Sequence, residues 1–559
     1  MNLLKTVIFV LILSATLAAG CKSSGKTGDL FIEITEDAGL NFVHDPAVDS
    51  SYFYPEIMGA GGGFLDYDND GDLDIYLVNG QRHGSNQGVP LKHRLFRQGR
   101  SGKFSDVTDE AFKGVSFGYG QGVAAGDIDN DGDVDLYLAN FDADQLLKNN
   151  GDGTFSDVTR QAGINNPAWA SSVSFLDYDR DSFLDIYVAT YVKFDPAVIC
   201  TDKAGRKDYC GPQGYRGVPD QLYRNNGDGT FKDVSNETGI AGVVPLKGLG
   251  VVSADFNQDR YPDIYVANDQ EPNHFWVNSR NGKFQDRAMA LGAAVNALGQ
   301  PEASMGVTAG DADGDGDLEL FLTHLRNETN TFYRNMGDLG FQDETATSGL
   351  GPPSLPFTGF GTGFFDYDHD GDLDIAVVNG RVTRGPRLTQ NSPEQYMDPY
   401  KETSLLFENQ GPGVFRRVTD RGGAFTDQVE NRRGLAFGDV DNDGDLDLLV
   451  TSDGDPARLF ENVAKPKGRW LMVRAMAWNR DAIGATVIVT AGDRKYMRDL
   501  QPGYSYQSTN DVRAHFGLGE ATKVDEITVI WPDGSSEKFS GVKAESFITL
   551  EKGKGTAGP

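Results

Sequence analysis

Nine-residue segments rich in aspartate recur seven times in this chain, beginning at Asp66, Asp127, Asp177, Asp255, Asp311, Asp366 and Asp439. Acidic or amide side chains fall on alternate positions. They are Asp66, Asp68, Asp70, Asp72 and Asp74; Asp127, Asp129, Asp131, Asp133 and Asp135; Asp177, Asp179, Asp181 and Asp185; Asp255, Asn257, Asp259 and Asp263; Asp311, Asp313, Asp315, Asp317 and Glu319; Asp366, Asp368, Asp370, Asp372 and Asp374; and Asp439, Asp441, Asp443, Asp445 and Asp447. So many carboxylates on a short turn repel one another unless a cation sits among them. Oxygen at positions one, three and five, a turn glycine at six, a backbone carbonyl at seven and a carboxylate at nine can wrap one hard ion. Six or more flexible oxygens favour calcium over magnesium. Aspartates in turns also accept backbone N–H groups without any ion. That reading weighs most on the third loop, with Ser182 and Phe183 at positions six and seven, and on the fourth, with Asn257, Arg260 and Pro262. Five to seven calcium ions are expected.

These are not EF-hand loops, which need a bidentate glutamate at position twelve. Here that position is apolar, as at Leu77, Leu138 and Val450, inside a short strand-like run. Two further patterns keep step with the loops. One is a short strand ending near asparagine, as in LYRN from Leu222. The other is of the type F-x-D-V-T, starting at Phe104, Phe155, Phe231, Phe284, Phe341 and Phe415. The seventh copy of the last is at the other end of the repeat, at Phe31–Thr35, so the N-terminal strand is expected to complete the final unit. Four strands per unit, repeated at intervals of roughly 50 to 78 residues, indicate a closed all-β, seven-bladed β-propeller over 31–462. A linker at 463–468, a small β-sandwich or barrel at 469–552 and a tail at 553–559 follow.

Lys5 and the apolar run Val7–Leu17 read as an export signal, too short to span a bilayer. They lead into Leu17-Ala18-Ala19-Gly20-Cys21, which resembles a bacterial lipobox. Residues 1–21 are therefore expected to direct lipidation of Cys21, with 22–30 as a tether and the lipid as the membrane contact. The remaining cysteines, Cys200 and Cys210, are expected to form a disulfide in an oxidising compartment, since no cysteine or histidine cluster completes a zinc tetrahedron around them. The net charge of −31 excludes nucleic acid as a natural partner.

The repeat resembles the FG-GAP or VCBS family, the calcium-loop propellers of integrin α subunits. The C-terminal segment resembles the ASPIC/UnbV domain, through Asn479–Ala485, Gly503–Ser508, His515–Gly519 and Trp531–Gly534. Their order is similar to that in cartilage acidic protein-like proteins of bacteria. The resemblance implies calcium binding and an extracellular or cell-surface setting.

Strand parity puts the aspartate loops on one face of the disc. The long insertions Gly80–Arg94, Tyr191–Gln221 and Gly380–Ser404, with Tyr52, Phe53 and Tyr54, fall on the other. Long loops on a rigid scaffold suit recognition, so a binding or adhesion module with a protein or glycan ligand is expected. The alternative is a metal-dependent enzyme using that second face or the central channel, with His44, Glu56, Glu271, His274 and His324 as candidates. No nucleophile elbow, HExxH or phosphate loop accompanies them.

Overall fold

The computed structural model describes residues 28–48, 51–82, 88–388, 396–465 and 467–558. The export signal and Cys21 lie outside the described residues. Among those described, seven four-stranded antiparallel sheets carry the repeat. In the second, the strands Gly120–Gly126, Asp135–Asn140, Gln145–Asn149 and Phe155–Asp157 lie side by side in chain order. The seventh takes three strands from Arg432–Asn462 and its fourth from the N-terminus. Phe31 lies opposite Asn462 and Glu33 opposite Phe460, as expected.

Each first strand touches the first strand of the next sheet, and the seventh, Arg432–Gly438, returns to Gly62–Leu65. The ring thus closes, with each first-strand edge covered by the first strands on either side. Small residues make this approach possible. A Cβ at Gly122 would run into the Ser171 carbonyl of the next sheet, and one at Gly306 into that of Phe360. Burial falls from the inside outwards: first and second strands are buried on both faces, whereas the fourth buries only its phenylalanine.

The threonine of the F-x-D-V-T pattern has a definite task. Thr108, Thr159, Ser235, Thr345 and Thr35 each accept a backbone N–H from the third strand of their own sheet, at 2.9–3.0 Å. In the fourth sheet Ala288 stands there, and Asp286 accepts the Phe275 N–H instead, at 3.2 Å.

The C-terminal unit is a two-sheet sandwich. One sheet centres on Arg469–Ala477, flanked by Ala514–Gly519 and, in parallel, by Ser546–Glu551. The other contains Arg494–Asp499, Thr486–Ala491, Glu526–Ile530 and Ser536–Phe539. Val473, Val487, Phe516, Ile527 and Trp531 fill the space between them. Thr556–Ala557, read as tail from the sequence, forms a further strand against Glu537 and Lys538.

This unit does not stand apart from the propeller as its sequence suggests. It sits on the aspartate-loop face and sends residues 501–511 into the ring. Gln501 bonds Ser253, Ser505 pairs with Val307 in both directions, Gln507 accepts the Val123 N–H, and Thr509 bridges Gly62 and Phe64. At the tip, the Tyr506 hydroxyl donates to the Met58 carbonyl at 2.9 Å and its ring packs edge-on against Phe360. The central channel, considered above for catalysis, is filled by this segment.

At the far end the insertions pack on one another. Tyr54, Trp169, Tyr191, Tyr209, Tyr215 and Tyr400 share one buried cluster. The Cys200–Cys210 disulfide expected from the sequence is present beside it, with Cα atoms 5.1 Å apart. No helix among the described residues is long and apolar enough to cross a membrane.

Candidate metal sites

All seven loops share one backbone design. Each runs from the end of a first strand to a position-nine carboxylate that opens the second strand. In the seventh loop, Asp439 accepts the N–H groups of Asp443 and Gly444 at 3.1 and 2.9 Å, and Asp443 accepts that of Asp445 at 3.0 Å. Positions four and six take the left-handed conformation, which glycine tolerates best. The third and fourth loops keep it without glycine: φ is 79° at Ser182 and 72° at Arg260. Their N–H groups still reach Asp177 and Asp255.

Position nine ties the loop to its sheet. Asp447 accepts N–H groups from Val440 at 3.1 Å and from the third-strand Asn462 at 2.8 Å. Asp74, Asp135, Asp185 and Asp374 repeat this pairing, and Asp263 takes the third-strand Asn278 N–H.

Positions one, three, five and nine converge. One carboxylate oxygen from each of Asp66, Asp68 and Asp70 lies within 4.8 Å of the others. So do those of Asp127, Asp129 and Asp135, of Asp177, Asp179 and Asp185, and of Asp311, Asp313 and Asp315. Asp315, Asp317 and Glu319 form a second such group in the fifth loop. Asp68 Oδ1, Asp129 Oδ1, Asp179 Oδ1 and Asp366 Oδ1 are buried and meet no hydrogen-bond donor. Buried anionic oxygens without donors are costly, and a hard cation satisfies them, so these residues fit a metal ion. In the fourth loop Asn257 turns its amide onto Asp263 at 3.1 Å, and Arg280 holds Asp259.

Position-seven carboxylates mostly face a neighbour. Asp72 accepts from Asn442, Asp133 from Asn69, Asp372 from Arg494, and Asp445 pairs with Lys467. Burial pushes Asp66 up to about 6, Asp177, Asp366 and Asp439 to about 7, and Asp74 to about 8. Asp135, Asp185, Asp263, Asp374 and Asp447 are raised well above the carboxylate range for the same reason.

Three sets of residues at these sites were not assigned a role from the sequence. The third-strand amides link neighbouring loops. Asn149, Asn225, Asn278, Asn335, Asn409 and Asn462 each donate to the position-two carbonyl of the preceding loop. Gln98 donates to Val440 of the seventh and completes the circle. The regular asparagine was the available signal. The residue before it supplies charge: Lys148 and Arg224 each pair with two carboxylates of their loop, and Arg334 with Asp313, whereas the sixth and seventh sheets carry Glu408 and Glu461. Finally, the C-terminal unit brings arginines to the loops. Arg480 reaches Asn130 and Ser182, Arg494 reaches Asp370 and Asp372, and Arg513 reaches Asn442 and Asp439.

The residues weighed for catalysis are not brought together as a set. Glu56 accepts the Tyr209 hydroxyl at 2.8 Å, and Glu271 pairs with Lys247. His44 lies 3.3 Å from Asp453, His274 3.9 Å from Asp286 and His324 3.5 Å from Glu302.

Comparison with known sequences matches FG-GAP-like repeats at 66–138, 127–188, 202–266, 255–322 and 314–377, more than half of the chain. The chain belongs to the FG-GAP-like repeat family. Residues 476–557 match the ASPIC and UnbV family, reaching the strand at Thr556–Ala557. Cartilage acidic protein 1 of Xenopus tropicalis is 24% identical over 548 residues, covering 86% of this chain and 71% of that protein. Cartilage acidic protein 1 of Mus musculus is 26% identical over 540 residues, covering 92% and 76%. A solved lectin structure from Agrocybe aegerita aligns at TM-score 0.39 and 17% identity, covering 66% of this chain and 84% of that one. The FG-GAP repeats thus carry several acidic groups able to hold metal ions, on a propeller-like frame suited to binding or interaction.

Proposed function

We propose that this chain is an exported, lipid-anchored binding scaffold at the cell surface, whose propeller is held together by calcium. The observation that carries the reading is the convergence of loop carboxylates within 4.8 Å around buried oxygens without donors. Positions one, three, five and nine supply the oxygens. Calcium suits this set because its ligands are many, anionic and held on a turn rather than in a rigid octahedron. When bound it supplies positive charge between the strands, and it takes part in no bond-making step. The C-terminal unit occupies the loop face, so a protein or glycan partner is assigned to the opposite face and its insertions. Exposed Ile199 and Val244 offer apolar contacts in that region of the chain. The lipobox reading of Cys21 supplies the membrane anchor.

Two experiments test this. Metal analysis and thermal melts, in chelator and in millimolar calcium, should find bound calcium and a melting temperature that climbs with it. Binding to the native state alone adds about 2.7 kcal/mol per site at a hundredfold excess. A metal-free protein with an unchanged melt would refute the calcium reading. Separately, Cys21→Ser should move the protein to the soluble fraction or leave it unprocessed, and an unchanged detergent-dependent fraction would refute the anchor.

A further inference from the structure

The C-terminal unit does not seat evenly on the propeller. Over the sixth and seventh loops it is tight. A Cβ at Gly517 would strike Asp366, and one at Gly444 would strike Trp470. Over the first loop a Cβ at Gly71 would meet nothing within 4 Å. There the seam opens into a cavity of about 360 Å³. This is within the range of small-molecule sites, roughly 300–1,000 Å³. Its walls are mainly apolar: Phe64 and Leu73 from the first sheet, Ala125 from the second, and Met476, Val512 and Ile548 from the C-terminal unit.

Three arginines also line it, and their hydrogen bonds differ. Arg480 is spent on Asn130, Ser182 and the Asp481 carbonyl. Arg513 is spent on Asp511, Asn442 and Asp439. Arg474 gives Nε and Nη2 to Asp481, at 2.6 and 3.1 Å, and its Nη1 has no protein acceptor among the described residues. The wall carboxylates are occupied as well. Asp481 is taken by Arg474 and Asp511 by Arg513. Asp66 and Asp127 accept N–H groups of their own loops.

We propose that this seam binds a small amphipathic anion. The apolar body lies between the first two sheets and the strand Ser546–Glu551, and its single acidic group takes the free edge of Arg474. The site is formed by both structural units together. Arg474 holds Asp481 and its charge also acts on Asp66 of the first loop, and its remaining N–H edge on the cavity wall is the polar group the geometry leaves for a ligand.

The test uses the purified full chain in millimolar calcium, titrated with 1-anilinonaphthalene-8-sulfonate and with its uncharged counterpart N-phenyl-1-naphthylamine. One sulfonate probe should bind per chain. Arg474→Gln should weaken it about tenfold, as loss of a charge-assisted hydrogen bond does, and leave the uncharged probe within about twofold. Met476→Trp and Thr549→Trp, on the same strand face as Arg474, each put bulk into the cavity and should weaken both probes without lowering the melting temperature. The two tryptophan variants keep the test decisive if Arg474→Gln folds poorly. No saturable binding to the folded chain, or binding indifferent to both tryptophan variants, would overturn the site. Equal loss of both probes in a folded Arg474→Gln protein would overturn its anion selectivity.

Discussion

Asn409 shows how much one side chain does in this fold. Its amide donates to Ala312 of the preceding loop at 2.9 Å and to Leu373 of its own at 3.0 Å, and its backbone N–H meets Asp374. Asn409→Leu would strand two buried carbonyls. A loss of about 2–3 kcal/mol is expected, since each unsatisfied buried group costs ~1–3, and urea unfolding would measure it. An unchanged midpoint would show that water replaces the amide. The loop residues predict a different outcome. Asp68→Ala with Asp70→Ala removes two of three converging oxygens in the first loop. Calcium stoichiometry by calorimetry should fall by one, with the other sites unaffected. Asn257→Ala should alter it less, because Asn257 is engaged with Asp263 rather than left open.

At the scale of elements, the segment 501–511 is the bolt between the two units. It bonds to the first strands of all seven sheets and, through Tyr506, to the insertion cap. Its removal would empty the channel and leave the C-terminal sandwich held by its contacts with the loops. Tyr506→Ala deletes a fully buried ring and its bond to Met58. About 3–5 kcal/mol should be lost, as for other large aromatic truncations. By calorimetry the intact chain should unfold in one transition and the variant in two, and one unbroken transition at unchanged temperature in the variant would argue that the units are held by the loop contacts alone. The disulfide acts more locally. It closes a separation of 10 residues, so Cys200→Ser with Cys210→Ser should cost at most about 3 kcal/mol and leave the rest of the cap folded.

For the molecule as a whole, the loops make stability depend on pH. Burial holds Asp66 at about 6, Asp177, Asp366 and Asp439 at about 7 and Asp74 at about 8, against 3.8 for a free aspartate. Each therefore gains a proton on folding. The stability so contributed is complete below pH ~4 and is lost as the pH rises through the folded values. In chelator the melting temperature should fall between pH 4 and 8. On the proposed calcium reading, millimolar calcium binds the ionised form and should flatten or reverse that slope. Parallel slopes with and without calcium would show that the loop carboxylates are not its ligands.

Periodicity in the sequence was enough to reveal the seven sheets, the order of their strands and the return of Phe31 to close the ring. Each follows from local pattern: apolar runs of strand length, turn residues between them, and a motif copy displaced to the N-terminus. The loops themselves were legible for the same reason, since the alternating carboxylates and the turn glycine lie within nine residues of one another. What the tertiary structure decided depends on contacts far apart in the chain. The asparagine circle joins Asn149 to Tyr67 and Gln98 to Val440. The channel is filled from residues 501–511, and Arg480, Arg494 and Arg513 reach the loops from a unit that reads as separate. A hydrogen bond across several hundred residues leaves no spacing in the sequence to detect, because only the closed ring brings its donor and acceptor together.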